Sequence, residues 1–465
     1  LHRACGQGRS LMVPEGEGTL TERPGGFERS WWGVALVGAY VAIILSGLLV
    51  AALTRPLTDH GFVYELGRSF ALVGMSILAL QFVLTARLHW IERPFGLDMV
   101  LRFHRTASGL ALVLLAGHPV LLAAGGGGFG LVYGGGMPWG IWLGRLALLL
   151  LIVQVFASVF RQQLHFGFEQ WRLLHNQATL IFGAGFIHAR AVGGDFAETA
   201  MQVLWWGMLG IAVAAYGYHK VVAPAFLRRH AYRVAEVRRG THNVWTLTME
   251  APPGRRRFEF RPGQFHFIHL RRGRGLPSEE HPFTIASSPT QPFIESTIKE
   301  SGDFTSTIGQ TRPGDRVSVR GPYGRFSTVY RSGEKDLVFI AGGIGVTPMM
   351  SMLRHMRDTR ADVDVMLFYA NRTRQDVLFG EELAQIAAGD LPRLKMVDVL
   401  SEPEAEWSGE RGYVDRARLE KHIGQGIAEK MYYVCGPPPM MKLVVGALGD
   451  LGVPAGRIEY ERFSL

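Results

Sequence analysis

Four histidines stand inside otherwise apolar sequence, His104 and His118 in one stretch and His175 and His188 in another. Nothing else in the chain restricts its fold as tightly. A helix rises about 1.5 Å per residue, so spacings of 14 and 13 residues set the members of each pair roughly 20 Å apart, most of a hydrocarbon core about 30 Å thick. Two such helices facing each other make two bis-imidazole sites stacked across a bilayer. Haem iron takes axial histidines. The plain alternative is polar packing between helices, which explains one intramembrane histidine readily and four at matched spacing poorly. The four are therefore read as metal ligands, His104 with His175 at the inner site and His118 with His188 at the outer one.

Composition allows this reading once it is divided. The 465 residues are 48% hydrophobic with a formal charge of +9. Residues 31–222 are apolar with few acids, and residues 231–465 have the composition of an ordinary α/β chain. The basic surplus flanks apolar runs, and no basic-aromatic stripe of the nucleic-acid kind occurs, so no nucleic-acid partner is expected. Cys5 and Cys435, the two cysteines, give neither a disulfide framework nor a metal-type cluster. Residues 1–30, rich in Gly and Pro, are expected to be disordered and lack the shape of a signal peptide.

Six stretches have spanning length, near 31–53, 64–86, 102–124, 139–160, 172–192 and 201–222. One set of loops and span ends collects Arg87, Arg93, Arg102, Arg105, Arg161, Arg172, Lys220, Arg228 and Arg229; the other has Arg55 and Arg190, and its loop 125–138 carries no charge. The positive-inside rule places the basic side, both termini and residues 231–465 in the cytoplasm. Trp31, Trp32, Trp139, Trp142, Trp205 and Trp206 suit interfacial belts. Arg68, Arg145 and Arg190 fall near the outer face, where each pairs with a haem propionate, guides an anionic product outward, or snorkels to the headgroups. His89 and His165 read as interfacial residues.

Residues 231–330 alternate like short strands punctuated by Gly and Pro, which predicts a small antiparallel barrel. Within it, His281-Pro282-Phe283-Thr284-Ile285-Ala286-Ser287 offers an aromatic platform and a hydroxyl for a flavin ring. Lys299 and the turn Gly302-Asp303-Phe304-Thr305 offer a cation and backbone amides for its phosphates. Residues 335–465 alternate strand and helix. An apolar strand runs into Gly342-Gly343-Ile344-Gly345-Val346-Thr347-Pro348 and a helix, which suits a pyrophosphate at a helix N-terminus although the full G-x-G-x-x-G is absent. Arg372 and Arg374 follow the next strand and suit the 2′-phosphate of NADPH; otherwise they form an exposed basic loop. Cys435-Gly436-Pro437 ends another strand, where a small side chain sits beside a nicotinamide or is a buried core thiol.

Together these motifs resemble the ferric reductase and NADPH oxidase superfamily, most closely its bacterial NADPH-oxidase-like members, over residues 31–465. The paired histidines resemble that family's bis-haem ligands. HPFTIAS at 281–287 resembles its flavin motif, and GGIGVTPMM at 342–350 and CGPPPM at 435–440 resemble the nucleotide motifs of ferredoxin reductases. The resemblance implies a six-helix transmembrane bis-haem bundle followed by a ferredoxin-reductase-like module, in a bacterial inner membrane. It implies two haem b groups, FAD and NADPH, with NADH as the alternative. Thr284 would steady the flavin edge, Cys435 would lie at the nicotinamide, and Arg68 resembles an arginine near the outer haem. Leu122 stands where eukaryotic oxidases often carry a further histidine, there are no calcium-binding loops, and Phe463, which resembles a flavin-stacking terminal aromatic, is followed by Ser464 and Leu465. The implied acceptor is O2, giving superoxide. A ferric or other metal chelate is the alternative, as is an electron-donor subunit serving a quinone or a protein, although no protein partner is required by the sequence.

Overall fold

The computed structural model describes residues 27–54, 61–161, 163–273 and 275–461. The sequence readings at Cys5, Arg55 and Phe463 lie outside them. The first ten helices are α1 Phe27–Thr54, α2 Phe62–Thr85, α3 His89–Phe95, α4 Leu97–Leu122, α5 Gly130–Tyr133, α6 Trp139–Val159, α7 Phe168–His175, α8 Ala178–Val192, α9 Thr199–Gly217 and α10 Ala223–Arg229. α1 begins one turn inside the segment expected to be disordered. It starts just after the helix-breaking Pro24-Gly25-Gly26, the last such group before the apolar run.

Among the described residues, five helical stretches are long and apolar enough to cross a membrane: Trp31–Thr54, Phe62–Thr85, Leu97–Gly127, Trp139–Val159 and Thr199–Arg229. The two longest are extended by π-helical turns at Ala123–Gly127 and Tyr218–Val222. The expected fifth span, 172–192, is not one helix. It breaks between α7 and α8 at Asn176 and Gln177, so His175 and His188 stand on separate pieces and the single-helix spacing argument fails for them. Asn is a poor helix-interior residue because its polar groups find other partners. Here Lys220 Nζ donates to Asn176 Oδ1 at 3.2 Å, and the Thr179 hydroxyl donates to the Asn176 carbonyl at 3.1 Å.

α2 packs along α4 and α6 along α8. The principal neighbour of each histidine-bearing helix is thus a different helix, not the other histidine helix. Large apolar side chains such as Leu146, Leu149, Val153 and Phe156 cover the outward face of α6, as suits contact with lipid. The loop 125–138 has no charge of its own, yet Arg145 of α6 organises it. That guanidinium donates to the carbonyls of Gly130, Leu131 and Gly134 at 2.6, 3.1 and 2.8 Å.

The next strands are β1 Tyr232–Thr241, β2 Val244–Glu250, β3 Phe265–Arg271, β4 Glu280–Thr284, β5 Ile294–Lys299 and β6 Arg316–Tyr323. They form an antiparallel sheet in the order β4-β3-β6-β1-β2-β5. Its edges approach where Ala286 N–H donates to the Glu295 carbonyl at 2.8 Å, just past β4. Leu247, Met249, Ile268, Leu270, Ile285, Ile294 and Val317 fill the interior.

The chain continues with β7 Asp336–Gly342, α11 Val346–Asp358, β8 Asp364–Asn371, α12 Gly380–Ala387, β9 Arg393–Leu400, β10 Glu410–Arg411, α13 Arg416–Ile423, β11 Met431–Cys435, α14 Pro438–Asp450 and β12 Ile458–Glu461. The parallel sheet runs β10-β9-β8-β7-β11-β12. Its order reverses between β7 and β11, and in doubly wound sheets the ligand crevice opens at that point beyond the carboxyl ends of the strands.

Candidate functional site

The switch point brings two motifs together. Gly342 through Gly345 follow β7, and Cys435 and Gly436 end β11, the neighbouring strand. Three of the glycines exist for this meeting. A Cβ on Gly342 would stand 2.5 Å from Met440 Sδ, one on Gly345 2.3 Å from the Cys435 carbonyl oxygen, and one on Gly436 3.1 Å from Gly342. Gly343 differs: its φ is +53° and a Cβ there would meet nothing, so its backbone faces open space. Thr347 and Pro348 lie buried in the first turn of α11, and the Thr347 hydroxyl donates to the Ile344 carbonyl at 3.0 Å. An anion above Gly343 meets a helix N-terminus.

Cys435 is buried, and burial together with the Glu461 carboxyl pushes its thiol well up, so it stays protonated. Glu461, which the sequence reading passed over, is itself pushed up to about 8 by burial and by Asp98. Arg372 and Arg374 are exposed beyond the end of β8, on the same sheet edge as the glycine loop. Arg372 is 3.8 Å from Asp376 and 3.9 Å from Glu402.

In the barrel, His281 stacks on Phe304 at 4.2 Å, and Phe283 lies parallel to Phe304 at 6.3 Å. Thr284 pairs with Phe265 on β3, which pairs with Tyr323 on β6. Other expected flavin contacts have packing positions. Ile285 is wholly buried in the barrel interior, and the Ser287 hydroxyl accepts from Glu295 N–H at 3.1 Å. The Thr305 hydroxyl accepts from the amides of Ser301 and Gly302 at 2.8 and 2.9 Å, so those two amides are already satisfied. Pro282 is half-buried within β4, and Lys299 is exposed at the end of β5. Barrel and nucleotide domain are tied by Arg354 of α11, a residue the sequence reading missed. It donates to the Ala286 carbonyl and to Glu295, each at 2.9 Å, and to Glu382 at 2.6 Å.

The membrane half meets the barrel through α3. Arg87, with φ +55°, ends α2 and donates to Glu280 of β4 at 2.7 Å. His89 stacks on Tyr323 at 5.5 Å, Arg325 donates to the Pro94 carbonyl at 2.8 Å, and Leu97 packs with Phe267 and Tyr323.

The four histidines fall into two kinds of setting. His118 Nδ1 lies 2.9 Å from the Gly67 carbonyl of α2, and His188 Nδ1 lies 2.7 Å from the Gly140 carbonyl of α6. A carbonyl only accepts, so each Nδ1 carries the proton and each Nε2 presents a lone pair, as in metal-ligating histidines. Glycine makes both approaches possible. A Cβ on Gly67 would stand 3.0 Å from Leu121 Cβ and Leu122 N, and one on Gly144 2.5 Å from the His188 ring. The inner rings, His104 and His175, have centres 6.1 Å apart and planes at 80°. A metal held about 2.0 Å from each of two imidazole nitrogens leaves ring centres roughly 6 Å apart. Trp171 stacks on His175 at 4.9 Å, and both inner Nδ1 atoms are buried with no hydrogen-bond partner among the described residues. Among the described residues no three His, Cys, Asp or Glu gather for a bare ion; a haem asks for two. The inner ring separation fits two imidazoles on one haem, and each outer imidazole presents an Nε2 suited to ligation.

Arg68, expected near the outer site, is held by Glu65 at 3.0 Å and by Asp195. It is not a lone cation there.

Residues 70–186 match the ferric reductase like transmembrane component, residues 229–327 an FAD-binding domain and residues 339–446 an oxidoreductase NAD-binding domain. The chain has the architecture of the ferric reductase and NADPH oxidase superfamily. A membrane-type helical domain thus precedes an FAD- and NAD-binding module of one antiparallel and one parallel sheet. Among curated relatives, the reductase component of propane 2-monooxygenase from Rhodococcus jostii is 32% identical over 244 residues, 50% of this chain and 63% of that protein. The glycine betaine monooxygenase reductase subunit of Chromohalobacter salexigens is 33% identical over 243 residues, 50% of this chain and 64% of that protein. The chain spans under two thirds of these relatives. The FAD/NAD-binding domain of a nitric oxide dioxygenase from Vibrio cholerae aligns with a TM-score of 0.45 at 23% identity, over 50% of this chain and 97% of that one.

Proposed function

We propose that the protein carries electrons from cytosolic NADPH across a bacterial inner membrane to an acceptor on the outer side, with O2 reduced to superoxide. The observation that carries this is the pair of histidine settings, placed in the helical half that α3 joins to the flavin barrel. When bound, the flavin would turn a two-electron hydride into single electrons, and the two haems would pass those electrons outward. Gly343 and the start of α11 would hold the pyrophosphate, Arg372 and Arg374 the 2′-phosphate, and Phe283 and Thr284 the flavin ring. His104 and His175 would hold the inner haem, and His118 and His188 the outer one. Each electron moves outward against an inside-negative potential, at a cost of about 2.3 kcal/mol per 100 mV. α7 and α8 together would make the sixth span, so both termini stay cytoplasmic.

The alternative acceptor is a ferric or other metal chelate. Full-length protein loaded with FAD and haem decides between them. NADPH-driven cytochrome c reduction suppressed by superoxide dismutase supports O2. Reduction that dismutase leaves untouched, with ferric chelate consumed at least as fast, overturns O2 as acceptor. A preparation without a b-type cytochrome spectrum overturns the haem assignment.

A further inference from the structure

One group at the junction of membrane and barrel has no part in the route described so far. Glu92 of α3 is 5% exposed, and neither carboxylate oxygen has a hydrogen-bond partner among the described residues. Burial pushes its carboxyl up to about 7 against the opposing pull of Arg87 and Arg320. Beside it Tyr323 is 3% exposed, and its hydroxyl also has no partner among the described residues. Tyr323 stands two strands from Thr284, about 10 Å at the usual strand spacing.

The other charged and titratable groups here are already committed or unsuited to accepting a proton. Arg87, Arg320, Arg93 and Lys220 are cations. Glu280 is paired with Arg87 at 2.7 Å and lies 3.5 Å from Arg320. His89 is made a weaker base by burial and by Arg93 and Arg320. His219, at the end of α9, faces the same cations.

The proposed route leaves the flavin with a proton to release. A hydride brings the flavin two electrons and a proton. A bis-imidazole haem takes the electrons one at a time and takes no proton. When both electrons have left, the flavin N–H bond must break and its proton must go to a base. We propose that Glu92 is that base, its carboxylate taking the proton by way of the neighbouring Tyr323 hydroxyl, which passes one proton on as it receives another. The inference rests on the electron route of the preceding subsection.

The test uses full-length protein with FAD and haem, and follows haem reduction by NADPH in stopped flow. The expected profile for the parent protein inflects near pH 7. E92Q is expected to slow the flavin-to-haem step by about a hundredfold and to lose the inflection. Infrared spectra of the full chain without flavin give an independent readout: the parent-minus-E92Q difference is expected to contain a carboxyl carbonyl band that titrates near pH 7, separate from that of Glu461. E92Q with the parent's rate and profile overturns the inference, as does a difference spectrum with no such band. Should E92Q not accumulate, E92D replaces it. There the kinetic inflection and the infrared titration must shift together, and an inflection that stays at the parent's pH overturns the assignment. Flavin reduction in the parent with no haem reduction at all overturns the route itself.

Discussion

The two halves of the molecule satisfy their polar side chains by different means. In the helical half the partner is mostly backbone. His118 and His188 use the carbonyls of Gly67 and Gly140, and Arg145 uses three loop carbonyls. Ser76, Thr85 and Ser158 each donate to a carbonyl one turn back in their own helix. In the soluble half the partner is more often another charged side chain. Arg354 joins Glu295 and Glu382, and Glu410 gathers Lys421, His422 and Arg418. The medium explains the contrast. A carboxylate is costly in hydrocarbon, whereas every helix brings carbonyls with it, and glycine lets a neighbour reach them. In water, ion networks form at less cost.

The sharpest way to break this comparison is Gly144→Ala. The new Cβ would stand 2.5 Å from the His188 ring, which must then leave its carbonyl. Loss of about half the b-type haem absorbance is expected. Gly109→Ala is the control, because a Cβ at Gly109 meets nothing within 4 Å. Equal haem content in the two variants would refute the glycine-backed ligand.

The soluble counterpart is Arg354→Met. Removing one partner of a buried ion pair costs about 3–5 kcal/mol. Here it also releases the Ala286 carbonyl of the flavin motif, so flavin should dissociate at a clearly lower temperature. Haem content should not change. Flavin retained to the parent's temperature would count against Arg354 as the tie between the two domains.

A smaller effect separates the halves by pH. His266 is wholly buried in the barrel, and burial pulls it from 6.5 down to about 3. A depressed folded value means that the stability His266 gives is present above about 6.5 and lost as pH falls toward 3. Lowering pH from 7 to 5 should cost the flavin module about 2 kcal/mol through this residue, read from denaturant midpoints of flavin release. In His266→Asn this part of the slope should vanish; an unchanged slope would assign it to other groups. The smallest effect expected is on nucleotide choice. Arg372→Ala combined with Arg374→Ala should raise KM for NADPH about tenfold, some 1.4 kcal/mol, and leave that for NADH nearly unchanged. Arg372 is 63% exposed and shares two carboxylates, which keeps the effect modest. Equal changes for both nucleotides would end the 2′-phosphate reading.

The sequence alone determined what periodicity and composition carry. Apolar runs of spanning length, the alternation of strands in 231–330 and the strand-glycine-helix of 336–358 follow from local chemistry, because each is set by neighbours a few residues away. The tertiary structure decided the rest. The break at Asn176 has a local cause in the poor helix propensity of Asn, but the partner that holds its side chain there, Lys220, lies 44 residues on. The function of Gly67, Gly140 and Gly144 is invisible until two helices cross. Arg68 can meet Glu65 along its own helix, but its pairing with Asp195 appears only in space. Glu92 looks like an ordinary loop acid in the sequence; only the arrival of β6 against α3 buries it. Spacing along a chain states which groups share an element, and only packing states which groups lose their water.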